Sequence, residues 1–278
     1  TGYPAGAVNR TNFPGYEQTN QSGIIAQGSG NWATTASIVL GESSYVNVAL
    51  DAEIDVVTNL LTVNVEAYYT GSSPQANNKL NVAITQDEIW GPQTGASSFY
   101  PENIDPATGL YKHSHMLRYL MTGQWGDPIT NTSAGTLFSR TYTYTLPAII
   151  GDVPMDFSKL NIVAFVTETN EKIISAGDGK PVLTNLPNNL EAQMISLTAP
   201  DYTCDGVVEP SFNVRNYGAQ DITSMRIGYS VNGGSQYIYN WTGGPILPGY
   251  NLDITMPLVG FPVAASNELD VTIEKVNG

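Results

Sequence analysis

Apolar and polar residues alternate along most of the chain. Val46, Val48 and Leu50 are each separated by one residue, and the apolar residues from Leu61 to Ala67 repeat this spacing. A period of two predicts strands with one buried face. The strands predicted before residue 187 are Val46–Leu50, Leu61–Ala67, Leu80–Ile84, Met116–Met121, Thr141–Leu146, Ile162–Val166 and Ile173–Ile174. Their number and spacing predict a mainly β chain with an antiparallel β-sandwich over residues 42–187.

A second set of alternating segments follows a Pro- and Asn-rich stretch at 183–189, which we interpret as a domain boundary. The strands predicted there are Met194–Leu197, Ser211–Val214, Met225–Val231, Tyr237–Trp241, Leu252–Met256 and Leu269–Ile273. Turn residues at Asn216–Gly218 and Asn232–Gly234 separate some of them. Strand length and turn chemistry predict an immunoglobulin-like β-sandwich over residues 188–278.

Two segments depart from the strand pattern. From Trp32 to Gly41 the apolar spacing is helical, with Asn31 as the predicted N-cap and Gly41 as the C-cap. The segment from Gly91 to Lys112 is rich in Pro, Gly, Ser and Asn and is too polar to be buried. We expect it to be a long surface loop, and loops of that length are often functional.

Charge and composition exclude several classes of function. The 278 residues include 25 acidic and 11 basic side chains, a net charge of −14, which repels nucleic acid and anionic lipid. The longest apolar runs, such as Leu160–Val166, are far shorter than a membrane-spanning helix. A single cysteine, Cys204, excludes an internal disulfide framework. We therefore predict a protein that does not span the membrane and does not bind nucleic acid.

The first residues resemble the end of a thioredoxin-like module. Tyr3–Arg10 matches a segment in which a cis proline, here Pro4, precedes a strand. The resemblance implies two further strands and a terminal helix, and the candidates are Asn12–Tyr16 and Gly23–Ala26 for the strands and the segment from Trp32 for the helix. We therefore expect residues 1–41 to be the C-terminal remnant, strand, strand and helix, of a thioredoxin-like module.

Three ordered motifs, Ile84–Gln93, Tyr111–Arg118 and Met121–Asp127, resemble the Omp-twenty-eight-related outer-membrane protein family of Bacteroidota. The resemblance covers about residues 1–185. It implies an exported, surface-associated protein, extracellular or at the outer-membrane surface, and it implies no particular reaction.

The last domain resembles bacterial adhesion-type immunoglobulin-like domains through Phe212–Gly218 and Ile227–Gly233. In similar multidomain proteins a C-terminal sorting domain of the type 9 secretion pathway follows further along the chain.

Aromatic residues cluster in and around the long insertion. Phe99 and Tyr100 lie within it, while Trp90, Tyr111 and Trp125 flank it. Flat aromatic rings beside Asn and Gln are typical of ligand pockets, including those for glycans, so these five residues are the candidate ligand-binding site for a cell-surface protein or a glycan. The alternative for Trp90 and Trp125 is core packing.

Side chains that could bind cations recur at every second residue in two places, which gives two candidate cation sites. His113 and His115, two residues apart on a chain expected to be extended, would point to one face as metal ligands do. The alternative is hydrogen-bonded strand histidines. Asp51, Glu53 and Asp55 also alternate onto one face and could bind calcium, although a solvated strand face explains them equally. No other cofactor is expected.

The chain lacks the residues of the common hydrolytic and redox centres. There is no Cys-x-x-Cys pair and no Gly-x-Ser-x-Gly elbow. Our first hypothesis is therefore a noncatalytic surface protein acting in adhesion or ligand binding. The alternative is a thiol-disulfide oxidoreductase with its Cys-x-x-Cys upstream of residue 1, to whose site only Pro4 of this chain could belong. A metal-dependent hydrolase based on His113 and His115 ranks last.

Overall fold

The computed structural model describes residues 4–18, 23–200, 206–262, 264 and 266–278. Tyr3 of the thioredoxin-like motif and Cys204 lie outside these residues. The chain is mainly β, with several separate sheets, as predicted. It divides into two compact units, which comprise residues 1–53 with 60–181 and residues 54–59 with 182–278. The predicted segment 1–41 lies within unit 1, and the predicted boundary near residue 187 lies just inside unit 2.

Unit 1 begins with two short strands and a helix. Strand β1 (Ala5–Gly6) pairs antiparallel with β2 (Gln27–Gly28), and helix α1 (Ser29–Leu40) follows directly. The indole of Trp32 packs against Gly6, where an added Cβ would lie 3.0 Å from the ring, and its N–H donates to Gln27 O. The strands predicted at Asn12–Tyr16 and Gly23–Ala26 are wrong, because the backbone there forms turns and irregular segments, and the two short strands lie at Ala5–Gly6 and Gln27–Gly28 instead.

The helix ends as predicted but begins earlier. Gly41 is the C-cap, and its N–H donates to the carbonyls of Ser37 and Ile38. The predicted N-cap, Asn31, lies inside the helix, and Gly28 is the N-cap. The Asn31 side chain donates instead to Tyr16 O at 3.2 Å, a tertiary contact that the local pattern does not contain.

The remaining strands of unit 1 include every strand predicted from residue 42 onward, most of them longer than predicted. They are β3 (Val46–Asp55), β4 (Leu60–Tyr69), β5 (Asn78–Gln86), β6 (Ile89–Gly91), β7 (Tyr111–His113), β8 (Met116–Leu120), β9 (Asp127–Ile129), β10 (Leu137–Thr145), β11 (Ile149–Ile150), β12 (Val153–Pro154), β13 (Leu160–Glu168) and β14 (Ile173–Gly179). The short helices are α2 (Ala96–Phe99) and the 3-10 turns Pro101–Asn103 and Phe157–Lys159.

Two sheets contain most of the buried residues of unit 1. One has the order β10-β4-β3, and the other has the order β14-β13-β5-β8 with β9 beside the start of β5. Alternate residues of β4, from Leu61 to Tyr69, are buried, as are those of β13 from Leu160 to Val166. Burying each such aliphatic side chain contributes about 1.5–3 kcal/mol, so the period of two selects the buried face. Tyr119 of β8 stacks on Tyr144 of β10 with ring centres 4.1 Å apart, which joins the two sheets at one edge.

Unit 2 contains all six strands predicted for the C-terminal region. Its strands are β15 (Val182–Thr184), β16 (Ala192–Thr198), β17 (Val207–Val208), β18 (Ser211–Asn216), β19 (Ile222–Val231), β20 (Tyr237–Ile246), β21 (Asn251–Thr255), β22 (Val259–Gly260) and β23 (Leu269–Val276). The sheets have the orders β16-β18-β21 and β20-β19-β23, with β17 paired to β22. Their buried cluster includes Phe212, Val214, Ile227 and Trp241.

The turn between β3 and β4 belongs to unit 2 because it bonds to β15. Val56 N donates to Thr184 O, and the Thr184 hydroxyl donates to Ile54 O. None of the helices in the described residues is long and apolar enough to cross a membrane.

Candidate functional site

An open groove of about 1130 Å³ lies in unit 1, at the long insertion. It is bounded by the insertion, by β7 and by the first residues of the chain. The lining residues are Pro4, Ala5, Ser29, Gln93, Thr94, Gly95, Ala96, Phe99, Tyr100, Asn103, Tyr111, Lys112, His113 and Ser114. The structure thus brings together three of the five predicted aromatic residues, one of the two histidines and Pro4.

The insertion, predicted to be a long surface loop, contains short helical turns held by hydrogen bonds of its own backbone. Gly95, at φ +79°, is the N-cap of α2, and Tyr100 N donates to Ala96 O at 2.7 Å. Asp105 N donates to Leu110 O, and the Asp105 carboxylate accepts bonds from Ala107 N and the Thr108 hydroxyl. These bonds hold the pKa of Asp105 below its usual range, with Thr108 the largest cause. Local polar residues therefore fix the outer wall of the groove.

Strand β7 lines one side of the groove. It pairs with β6 so that Tyr111 faces Gly91, Lys112 faces Trp90 and His113 faces Ile89. The rings of Tyr111 and His113 meet edge to face, with centres 5.0 Å apart. The imidazole of His113 packs over Gly91, where a Cβ would lie in van der Waals contact at 3.4 Å from His113 Cδ2. Pairing with β6 thus orients two of the groove's rings.

The wall aromatics are open to solvent. Phe99 is 77% exposed and Tyr100 is 56% exposed, although both belong to an ordered segment. Exposed aromatic rings gathered at one concave surface are a feature of interaction sites rather than of packing.

Trp90 and Trp125 do not line the groove. Trp90 lies on β6, at the groove's edge opposite Lys112, and Trp125 lies in the turn before β9. Strand β9 pairs with the start of β5, whereas β6 follows its end, so the length of β5 separates the two indoles. Both are about half exposed, so neither packs in the core, which was the alternative for them.

The turn that holds Trp125 depends on Gly126. This residue has φ +72°, and a Cβ there would lie 2.7 Å from Leu80 O. Only glycine fits this position. The turn that carries Trp125 therefore packs against the backbone of β5 and does not reach the groove.

The two histidines have different surroundings. The extended stretch ends at His113, and His115 has φ +55°, so the spacing argument for a shared face does not hold for this pair. His115 N donates to Asp87 Oδ1 at 2.7 Å, and its Nδ1 lies 3.2 Å from the same oxygen. Among the residues that the structure describes, no three His, Cys, Asp or Glu side chains form a group that could hold a metal ion. A metal role for these histidines stays a prediction.

The calcium candidates have structural partners. Asp51 accepts a hydrogen bond from the Asn64 side chain, and Asp55 accepts bonds from Val57 N and Thr58 N in the β3–β4 turn. These backbone bonds, Val57 first, lower the pKa of Asp55. Glu53 is exposed on β3. Calcium binding there also stays a prediction.

The sequence did not single out the polar lining of the groove. Gln93, Lys112 and Ser114 lie within the family motifs, and this was the available signal for them. No family motif includes the other polar lining residues, which are Ser29, Thr94 and Asn103. Only the packing of the insertion against the N-terminal segment brings these three together.

Comparisons with solved structures return low similarity. A domain of the outer membrane lipoprotein Omp28 from Porphyromonas gingivalis has 18% identity and a TM-score of 0.35, over 50% of this chain and 98% of that domain. HBP35 of Porphyromonas gingivalis has 14% identity and a TM-score of 0.41, over 81% of this chain and 68% of HBP35. The B domain of a biofilm associated protein has 13% identity and a TM-score of 0.23, over 68% and 55%. None of the curated proteins matches the chain significantly.

The comparison with protein families covers most of unit 1. The sequence profile of the outer membrane protein Omp28 family matches residues 1–179, more than half of the chain. The match includes every residue of the groove. The protein therefore belongs to the outer membrane protein Omp28 family, and its predicted location at the outer-membrane surface is confirmed.

Proposed function

We propose that the protein is a noncatalytic, surface-associated binding protein whose ligand lies in the groove of unit 1. The observation that carries this proposal is the exposure of Phe99 and Tyr100 on a hydrogen-bonded segment that lines the same groove as Tyr111. The ligand is a glycan or a cell-surface protein, and binding to it would act in adhesion.

Energetics favours a binding role for these rings. Local hydrogen bonds already hold the insertion, so its aromatic side chains are not needed to bury a core. Covering a large apolar ring on ligand binding gains about 25 cal/mol per Å² of apolar area. The amides of Gln93 and Asn103 stand beside the rings and can donate to and accept from hydroxyl groups. This combination suits a ligand with both flat apolar faces and hydroxyl groups.

The proposed architecture places this groove on stacked β modules. We propose that the two large sheets of unit 1 form an antiparallel β-sandwich, that unit 2 is an immunoglobulin-like β-sandwich and that residues 1–41 are a thioredoxin-like remnant. The inward alternation of β4 and β13, the two three-stranded sheets of unit 2 and the β1-β2-α1 order support these assignments. Export by the type 9 secretion pathway stays a prediction from family resemblance.

The test compares binding of the whole chain with that of a groove variant. The double substitution Phe99→Ala with Tyr100→Ala removes both wall rings, and Tyr68→Ala is the matched control, because Tyr68 is 46% exposed on β4 away from the insertion. Binding is measured by biolayer interferometry to immobilised neutral and acidic polysaccharides and to extracellular proteins.

We expect at least one immobilised molecule to bind the wild type and the Tyr68→Ala control equally, and the double variant at least tenfold more weakly. Deleting residues 94–109 should abolish the same binding while the circular dichroism of the sheets is kept. Equal binding by wild type and double variant to every molecule that binds would contradict the proposal.

One observation favours the redox alternative. Pro4, from the segment that resembles the cis proline region, lines the same groove as the insertion. If a Cys-x-x-Cys pair precedes this chain, the insertion would then stand over a thiol site. Insulin reduction by the longer parent protein, lost when those cysteines are replaced by serine, would support this function. A parent protein without paired cysteines would end it.

A further inference from the structure

Unit 2 has a cleft of its own at the turn between β19 and β20. The cleft measures about 650 Å³ and is lined by uncharged residues, namely Tyr229, Val231, Asn232, Gly234, Ser235, Tyr237, Leu258, Val259, Gly260 and Pro262. The rings of Tyr229 and Tyr237 stack with centres 5.5 Å apart, and both Tyr237 and Leu258 are more than half exposed. Exposed apolar side chains at a concave surface are a feature of interaction sites.

Hydrogen bonds fix the walls of this cleft. At the hairpin turn, the Asn232 side chain donates to Asn267 Oδ1 and accepts from Glu268 N, both at 2.8 Å. Asn267 in turn donates to Pro262 O at 3.2 Å, which joins the turn to the segment after β22. The cleft is therefore formed without a ligand, and binding does not have to order it.

Strand β20, which begins at Tyr237, has an unpaired edge. It pairs with β19 on one side, and within the described residues no other strand or backbone hydrogen bond reaches residues 237–242. Their register to β19 is regular. These six residues, Tyr-Ile-Tyr-Asn-Trp-Thr, include no charged residue and no proline. An uncharged strand with unpaired N–H and C=O groups is a template for another strand.

The other edge strands of the two three-stranded sheets are protected against such pairing. Strand β23, at the opposite edge of the β20-β19-β23 sheet, contains the charged residues Asp270, Glu274 and Lys275. Strand β21 contains Asp253, and β16 has a β-bulge in its pairing with β18. Charged residues and bulges keep the edges of natural sheets from pairing. Residues 237–242 of β20 have neither, so this edge suits the addition of a strand.

We infer that unit 2 binds an extended, uncharged peptide segment of a partner protein, which adds to β20 as a fourth strand and places an apolar side chain in the cleft. Main-chain hydrogen bonds to β20 supply the affinity, and the cleft beside Tyr237 selects the side chain. A second copy of this chain suits the edge less well, because each copy has a net charge of −14 and the two repel. The site lies within unit 2 and does not depend on the proposed function.

The experiment measures the binding of three end-labelled heptapeptides to the whole chain by fluorescence polarisation. The first probe has one central leucine among threonines, which favour an extended backbone. In the second probe the nitrogens of the leucine and of the next residue are methylated, which removes one N–H donor from each edge of the strand. The third probe has threonine in place of the leucine and tests the contribution of the cleft.

Two variants of the protein form a matched pair. Ile238→Lys adds a charge to β20, and Thr272→Lys adds the same charge to β23. Both residues lie opposite Gly228 of β19, so they occupy the same row at the two edges of one sheet. A third variant, Leu258→Ala, removes an exposed apolar side chain from the cleft. Circular dichroism checks that each variant is folded.

We expect the methylated probe to bind the wild type about tenfold more weakly than the first probe, because it loses main-chain hydrogen bonds. The threonine probe should bind about fivefold more weakly, the effect of one buried aliphatic side chain. Ile238→Lys should weaken the first probe about tenfold, whereas Thr272→Lys should leave it unchanged. Leu258→Ala should reduce the preference for leucine. Hydrogen exchange should slow in residues 237–242 on binding, and not in β23.

Four results would overturn the inference. Equal binding of the methylated probe would mean that the cleft takes side chains without strand addition. Equal effects of Ile238→Lys and Thr272→Lys would mean that β20 is not the site, and hydrogen exchange in residues 237–242 decides the same question if Ile238→Lys does not fold. A dimer in analytical ultracentrifugation that Ile238→Lys abolishes would assign the edge to a second copy. No binding of the first probe up to about 0.5 mM protein would mean that this edge takes no peptide.

Discussion

Unit 1 contains two clusters of tyrosines and polar side chains whose roles are opposite. The first is the groove. The second, which we call the Tyr69 cluster, comprises Tyr45, Tyr69, Ser73, Asn78 and Glu168. In it Tyr69 is fully buried and donates to Asn78 Oδ1 at 3.0 Å, while Tyr45 donates to Glu168 Oε1 at 2.8 Å. The rings of the two tyrosines stack with centres 6.3 Å apart.

The Tyr69 cluster and the groove differ in whether their side chains have bonding partners within the protein. In the Tyr69 cluster the partners come from both large sheets: Tyr69 lies on β4 and Tyr45 directly before β3, while Asn78 lies on β5 and Glu168 on β13. In the groove the rings of Phe99 and Tyr100 stay exposed to solvent, although the backbone of their segment is hydrogen-bonded. We conclude that the first cluster holds the sheets together, whereas the second has bonding capacity left for a ligand.

The largest expected effect is on the Tyr69 cluster. Tyr69→Ala removes a fully buried ring and should lower the free energy of unfolding of unit 1 by about 3–5 kcal/mol. Urea unfolding followed by tryptophan fluorescence and circular dichroism measures this change. A loss below about 1 kcal/mol would mean that the cluster does not hold the sheets together.

The substitution Tyr69→Phe tests the contribution of the hydroxyl hydrogen bond apart from that of the ring. Tyr69→Phe keeps the stacking with Tyr45 but removes the hydroxyl that donates to the buried Asn78. We expect a loss of about 1–3 kcal/mol in the same unfolding experiment, the cost of a buried acceptor that loses its donor. Stability equal to the wild type would indicate that another donor replaces the hydroxyl.

Alkaline pH should act on the same cluster. Burial, with a smaller contribution from Glu168, raises the pKa of Tyr45 to about 12. The pKa of Tyr45 in the folded state exceeds its ordinary value of about 10, so the folded state favours the protonated phenol. The contribution of Tyr45 to the free energy of unfolding is therefore complete below pH 10 and is lost as the pH rises through 12. Unfolding in urea at pH 8 and pH 11 should show a smaller decrease for Tyr45→Phe than for the wild type. Equal decreases would assign the alkaline loss to other groups.

The smallest effect on stability is expected at the groove. Phe99→Ala should change the free energy of unfolding by no more than about 0.5 kcal/mol, because the ring is 77% exposed. The same variant should weaken ligand binding in the experiments above. A loss of stability as large as that of Tyr69→Phe would show that Phe99 packs in the fold and would remove the contrast between the two clusters.

Much of the fold followed from local pattern. Alternation placed every strand predicted from residue 42 onward, because the buried face of a strand recurs at every second residue, whereas the two strands expected from resemblance before residue 30 were misplaced. Gly41 marked the end of α1, because a C-cap is a local feature. The start of the same helix was misplaced, because Asn31 bonds to Tyr16, which lies fifteen residues earlier in the chain.

The candidate site was predictable only in part. Aromatic residues near the insertion marked Phe99, Tyr100 and Tyr111, and all three line the groove. The same argument marked Trp125, which the Gly126 turn holds beside the start of β5. Closeness in sequence to the insertion does not tell the groove residues from Trp125. Strand pairing decides at which end of the sheet each residue lies.

By itself the sequence determined the strand pattern, the acidic charge, the family and the presence of an aromatic insertion. These properties depend on residue type and on spacing over a few positions. Only the tertiary structure decided which aromatic rings share a surface and that His113 and His115 have different neighbours. Those facts depend on contacts between segments far apart in the chain, which form only when β6 pairs with β7 and the insertion meets the first strand.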